Sequence, residues 1–167
     1  MANLSSVFII LMVTVTVLPP YSNAMIKDPC PKKGYAYSGF GKICLRISSD
    51  SKSWADAKKA CESNGETLLV LETLERIIWL KTLRQHYPGW ELSSLWIGGK
   101  STGGVWKWHG KLDNEPILLS DYIHGSPANK PSDDKCLQVL KHPDFTWKED
   151  NCETKKRYLC EKLAPVN

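Results

Sequence analysis

Leu95-Trp96-Ile97-Gly98-Gly99 and, a few residues on, Val105-Trp106-Lys107-Trp108-His109-Gly110 are the stretch around which the rest of this chain can be ordered. Leu95-Trp96-Ile97 and Val105 to Trp108 are aliphatic and aromatic, the composition of short strands, and Gly98 to Gly104 between them is turn-prone. Downstream, Lys111 to Lys135 contains Pro116, Pro127 and Pro131 with little periodicity; a loop that long is usually functional. Strand character returns at Leu137 to Leu140, Phe145 to Trp147 and Arg157 to Cys160.

Upstream the pattern is helical. Ser53 and Asp56 form a capping box, in which the hydroxyl takes an exposed amide of the first turn and the carboxylate reaches back. Trp54, Ala57 and Cys61 share one face of the helix that follows, and Gly65 stops it. A second helix is predicted from Thr73 to just before Pro88-Gly89, with Ile77, Ile78, Leu80 and Leu83 mostly inward and Glu72 and Arg76 paired on the solvent side. Helices first and strands later, without regular alternation, argue for an α+β domain. There is no internal repeat and no low-complexity tract.

The chain of 167 residues has room for one domain. Its 22 basic and 18 acidic side chains leave a formal charge of +4, too mild for a nucleic-acid partner, and a 42% hydrophobic fraction with seven tryptophans can fill a core. Val7 to Leu18 is an apolar run too short to span a bilayer comfortably, followed by Pro19-Pro20 and the small residues Ser22-Asn23-Ala24. The expectation is a signal peptide at 1–24 cleaved after Ala24, although no Lys or Arg precedes the run, and a single secreted, extracellular domain at 25–167 with its core at 30–162. An uncleaved anchor is the competing reading. The sequon Asn3-Leu4-Ser5 falls inside the leader.

Six cysteines, Cys30, Cys44, Cys61, Cys136, Cys152 and Cys160, follow that leader. An even count behind an export signal implies disulfides, and the absence of a C-x2-C pair argues against zinc. Spacing alone does not choose among the pairings.

Cys61 in the first helix, Trp96-Ile97-Gly98-Gly99, Trp106-x-Trp108 with Gly110, Cys136, Trp147 before Asn151-Cys152, and Tyr158-Leu159-Cys160-Glu161 stand in an order that resembles the C-type lectin-like domain family. The resemblance covers Cys30 to Lys162. It implies an α+β fold with two helices packed on short antiparallel sheets, a long loop region opposite the paired termini, and disulfides Cys30–Cys44, Cys61–Cys160 and Cys136–Cys152. It also implies a soluble glycan-binding module, similar to innate-immune or mucosal lectins, that recognises a glycan or glycoprotein through the 111–135 loop. The alternative it leaves is a non-sugar module for a protein or mineral surface.

In calcium-dependent relatives, a Glu-Pro-Asn or Gln-Pro-Asp triplet, an acid shortly before the next cysteine and an Asn-Asp pair supply the oxygens that a hard cation requires. Aligned on Gly125, this chain has Ser126-Pro127-Ala128 at the triplet and Lys148-Glu149 at the pair. The ligand-binding set so implied is Ser126, Pro127, Asn129, Asp134, Trp147, Lys148 and Glu149, with Asp134 and Glu149 the two carboxylates for a metal and Lys148 an opposing ammonium. That count is poor for calcium, and only the resemblance keeps the ion among the candidates. Register-shifted triplets through Asn129 or Glu115-Pro116-Ile117, and a second site at Asp133, Asp144 and Asp150, are weaker; Glu115 reads as a solvated loop residue.

Trp96, Trp106, Trp108 and Trp147 read as core aromatics, while Trp90 and Tyr122 flank loops and serve stacking or local packing equally well. Lys155-Lys156-Arg157 reads as a solvated turn, with an anionic surface as its functional alternative. His86, His109, His124 and His142 are scattered, and no H-E-x-x-H or G-x-S-x-G pattern occurs, so the chain is expected not to be an enzyme.

Overall fold

A computed structural model describes residues 29–30, 34–39, 41–86, 94–118, 120, 131–140 and 145–165, the side chains of 84–86 excepted. The expected leader, Trp90, Tyr122, His124, His142, Asp144 and the Ser126, Pro127, Asn129 segment lie outside those residues. The described elements are β1 (Tyr35–Ser38), β2 (Ile43–Ile47), α1 (Trp54–Glu62), β3 (Thr67–Leu68), α2 (Leu74–His86), β4 (Ser94–Thr102), β5 (Val105–Trp108), β6 (Glu115–Pro116), β7 (Lys135–Leu140), β8 (Trp147–Asn151) and β9 (Arg157–Leu163). The chain is α+β, as the order of helical and strand patterns implies.

β9 organises the sheet. Its carboxy-terminal half pairs antiparallel with β2, which carries β1 on its far side, and with the short β3. Its first residues, Arg157 and Tyr158, pair with Leu95 and Trp96 of β4 in parallel, so the sheet is mixed rather than purely antiparallel. From β4 the sheet continues one way through β5 to β6 and the other through β7 to β8. Three disulfides cross-link these elements: Cys30–Cys44, Cys61–Cys160 and Cys136–Cys152, with Cα separations of 5.6, 5.6 and 5.1 Å.

α1 begins where its cap predicts. The Ser53 hydroxyl oxygen accepts from the Asp56 amide at 3.3 Å, but the Asp56 carboxylate turns to accept from that same hydroxyl at 2.9 Å, so the box closes through side chains. Trp54, Ala57 and Cys61 are buried together. Replacing Ser53 by Ala is expected to cost about 1 kcal/mol, the usual worth of a lost hydroxyl cap, measurable as a lower urea midpoint with unchanged slope.

Several expectations need correction. Ile78 is 52% exposed, because it lies nearly opposite the face on which Ile77, Trp79, Leu80 and Leu83 are buried. Arg76, expected at the solvent, is 4% exposed on that buried face, and its contact with Glu72 at 2.9 Å is joined by a second ion pair to Glu161. Lys155-Lys156-Arg157 is not simply a solvated turn: Lys156 pairs with Asp150 at 2.8 Å and lies 5.2 Å from the Trp96 ring, and Arg157 Nε donates to the Ser48 carbonyl at 2.5 Å. The late strand starts at Trp147, since Phe145 is buried with a positive φ of 54° that ends extended geometry before it.

Gly98-Gly99 is likewise not a turn. β4 runs through it, and the glycines are there for close approach: a Cβ on Gly98 would stand 3.0 Å from the His109 carbonyl, and one on Gly99 would enter the Leu137 side chain. The chain turns at Gly103 and Gly104, both with positive φ (62° and 72°).

The core has two main parts. Leu69 to Leu71, Leu80, Ile97, Leu137, Val139 and Leu159 pack with Trp108 and Trp147, whose rings meet edge to face at 5.4 Å. Trp54 and Trp96 pack instead with Tyr158 and the Cys61–Cys160 and Cys136–Cys152 bridges. Trp96, Trp108 and Trp147 are thus core aromatics, and Trp106 is partly buried against the first cluster.

Candidate functional site

The described part of the candidate site lies where residues 131–134 lead into β7, beside the β4–β5 turn and the end of β8. Pairing of Lys135 with Asn151 and of Cys136 with Asp150, together with the Cys136–Cys152 bridge, fixes β7 against β8. The Cys152 amide donates to the Asp134 carbonyl at 2.8 Å, which places Asp134 at the edge of this pair. Asp133 reaches the other way and accepts from the Gly103 amide at 2.7 Å, tying the 131–134 segment to the β4–β5 turn. Beneath them the Ser101 hydroxyl donates to the Pro131 carbonyl at 3.1 Å.

The Asp134 carboxylate is half exposed and already occupied. Oδ1 accepts from the Ser132 hydroxyl, and Oδ2 accepts from the Asn151 amide at 3.2 Å with the Lys135 ammonium 3.6 Å away. The Ser132 hydrogen bond is the main reason its carboxyl lies below the ordinary aspartate value, with Lys135 adding to it. Ser132 and Asn151 are the partners that sequence reading missed; Asn151 carried a signal in standing next to Cys152 on the strand opposite.

Of the other site residues, Trp147 is fully buried against Trp108, which puts it under the surface rather than on it. Lys148 is exposed and Glu149 partly exposed, opposite Gln138 and Leu137 of β7. Among the described residues no three His, Cys, Asp or Glu side chains are grouped to hold a metal ion. The described part of the set is a poor one for calcium: the Asp134 oxygens already accept from protein donors, Asp150 is paired with Lys156, Asp133 accepts from a backbone amide, and Lys148 brings a positive charge. Glu115 is exposed in β6, paired through its backbone with Trp108.

The fold also assembles a contact that the sequence hides. His109 Nε2 lies 3.4 Å from the Thr102 hydroxyl, and His109 Nδ1 lies 3.4 Å from Asp113. The order carboxylate, imidazole, hydroxyl is that of a hydrolase relay, but both contacts are long and the Gly103 amide beside Thr102 is taken by Asp133, so it cannot serve an oxyanion. Burial keeps His109 below the ordinary imidazole value, against the pull of Asp113. The arrangement is a polar clasp that joins the end of β4 to the turn that follows β5.

Comparison with known proteins follows the same lines. The family model described as Lectin C-type domain matches residues 50–162. Human (Homo sapiens) asialoglycoprotein receptor 2 is 29% identical over 148 residues, 85% of this chain and 43% of the receptor. The chain spans less than half the length of that receptor and about a fifth of the rabbit (Oryctolagus cuniculus) E-selectin that it also matches. Among solved structures, the mouse scavenger receptor C-type lectin carbohydrate-recognition domain superposes with a TM-score of 0.67 at 24% identity, covering 83% of this chain and 99% of that one. A calcium-independent type II antifreeze protein superposes at 0.65 and 23%, covering 81% and 95%.

Proposed function

We propose that this chain, which belongs to the Lectin C-type domain family, is a secreted recognition module that binds glycans on its long-loop side without calcium as the anchor. Members of the family are binding modules rather than enzymes. Three disulfides suit an oxidising, extracellular setting, and no helix among the described residues is long and apolar enough to cross a membrane. The leader at 1–24 is part of this proposal.

The observation that carries the reading is Asp134. Its oxygens accept from Ser132 and Asn151 and hold the loop edge to β8, so a calcium ion would have to compete with these contacts, and the Lys148 ammonium on β8 opposes it. Recognition then falls to direct hydrogen bonds from loop groups, Ser126 and Asn129 among them, and to the exposed Lys148. The solved neighbour described as calcium-independent is in keeping with a fold that does not need the ion.

A glycan array run once with calcium and once with chelator tests this. Binding of the same glycans in both conditions is expected. Binding that chelator abolishes would overturn the metal-free reading, and no binding in either condition would move the assignment to a protein or mineral surface.

A further inference from the structure

A second concavity lies on the β2–β9–β3 ladder and shares no residue with the Asp134 region. It is a cavity of about 420 Å³, within the range of small-ligand sites. Ile43 and Leu163 form its apolar side, Thr67 offers a hydroxyl, and Lys111 and Lys162 stand in its wall. Gly110 brings Lys111 there: a Cβ on Gly110 would stand 2.7 Å from the Leu68 carbonyl, so only glycine lets the chain pass so close to β3.

Two carboxylates also line the cavity, and their partners decide its charge. Glu66 accepts from the Arg46 guanidinium and from the Tyr35 hydroxyl. Glu161 accepts from Arg76 and from the Val70 amide, and Lys111 is paired with Glu72. Three carboxylates are therefore matched by Arg46, Arg76 and Lys111. Lys162 is left over: its ammonium lies 4.6 Å from the Tyr35 ring and has no carboxylate partner among the described residues. A half-buried cation in a concave wall whose other charges cancel attracts one anionic group, more strongly than an ammonium in open water does.

We propose that this cavity binds the anionic group of a small acidic saccharide unit, a uronate or a sulfated sugar, with Lys162 as the charge partner and Thr67 and the Ile43–Leu163 wall receiving the ring. The site acts independently of the long-loop face. One anion suffices, because a second would meet Glu66 and Glu161 with no further cation to offset it.

The test uses the disulfide-bonded protein labelled for amide NMR and titrated at low salt with glucuronate, galactose 6-sulfate, neutral glucose and decanoate. Saturable shifts at Gly65, Thr67 and Leu163 with either acidic sugar and none with glucose are expected. K162Q should weaken that binding about tenfold, and K162R should keep it within about threefold, the charge being retained. Glucose titrating as well as glucuronate, decanoate outcompeting both sugars, or K162Q binding like the parent would each overturn the proposal. An unchanged array profile for neutral glycans with K162Q separates this site from the loop face: if binding of neutral glycans is lost with it, the two are one site and the proposal fails.

Discussion

Alanine at both Cys61 and Cys160 is expected to leave the domain largely unfolded at 37 °C, whereas alanine at both Cys30 and Cys44 is expected to leave it folded but weakened. The bridges close loops of very different size, with sequence separations of 99 and 14. In the chain-entropy model the long closure is worth about 4.7 kcal/mol and the short one about 3 kcal/mol. Position widens that gap. Cys61 and Cys160 are fully buried and join α1 to β9, the strand that holds β2, β3 and β4, in a cluster with Trp54, Trp96 and Tyr158. Removing the sulfurs adds an unfilled space to the lost cross-link. Cys30 and Cys44 lie in a small cluster with Tyr35 and Ala164, near the end of the ladder. Urea unfolding of the two double variants beside the parent reads the difference. Equal midpoints would mean that the long bridge contributes no more than the short one and that β9 is not the element on which the fold depends.

How far the chain could be read before it was seen depended on whether a signal was local. Ser53 with Trp54, Ala57 and Cys61 wrote α1 fully, since cap and buried stripe fall within three turns. Gly98-Gly99 misled because glycine has two uses, and only the tertiary neighbours Leu137 and the His109 carbonyl show that close approach is the one in force. β1, β2 and β3 gave no distinct strand signal of their own; β2 and β3 are defined by pairing with β9, more than ninety residues later in the chain, a separation that no local window covers, and β1 by pairing with β2. At the site, Asp134 was legible from its place two residues before Cys136, but its contact with Asn151 was not, because that hydrogen bond depends on the register of β7 and β8. The His109–Thr102 contact was hidden likewise, because it depends on how β4 and β5 pair.

Arg76→Met is expected to cost about 3 to 5 kcal/mol at neutral pH, and much less near pH 4. Arg76 is a surface-looking residue in sequence, four residues from Glu72, yet it is 4% exposed and binds three residues. Its Nε donates to the Val70 carbonyl at 2.8 Å, and its guanidinium pairs with Glu72 and with Glu161, itself 2% exposed. Glu161 in turn accepts from the Val70 amide at 2.8 Å, so the pair sews α2 to β9 through the segment between β3 and α2. Methionine fills much of the arginine volume but leaves the Glu161 carboxylate buried without its cation, which is the costly way to break a buried pair. Burial already pushes the Glu161 carboxyl above its ordinary value, with Arg76 pulling it back. Without Arg76 it rises further. A carboxyl whose folded pKa exceeds the unfolded value of about 4.3 destabilises the fold as pH rises through that window, and below it the folded and unfolded states are both protonated and the penalty vanishes. The deficit of the variant should therefore shrink on acidification, and adding Glu161→Gln to it should recover part of the loss at pH 7 while leaving stability at pH 4 nearly unchanged. Urea unfolding of parent, single and double variants at the two pH values measures this. A deficit equal at both, or a double variant no better than the single one at pH 7, would mean that lost packing rather than an unpaired carboxylate sets the cost, and that Arg76 holds α2 to the sheet by its bulk.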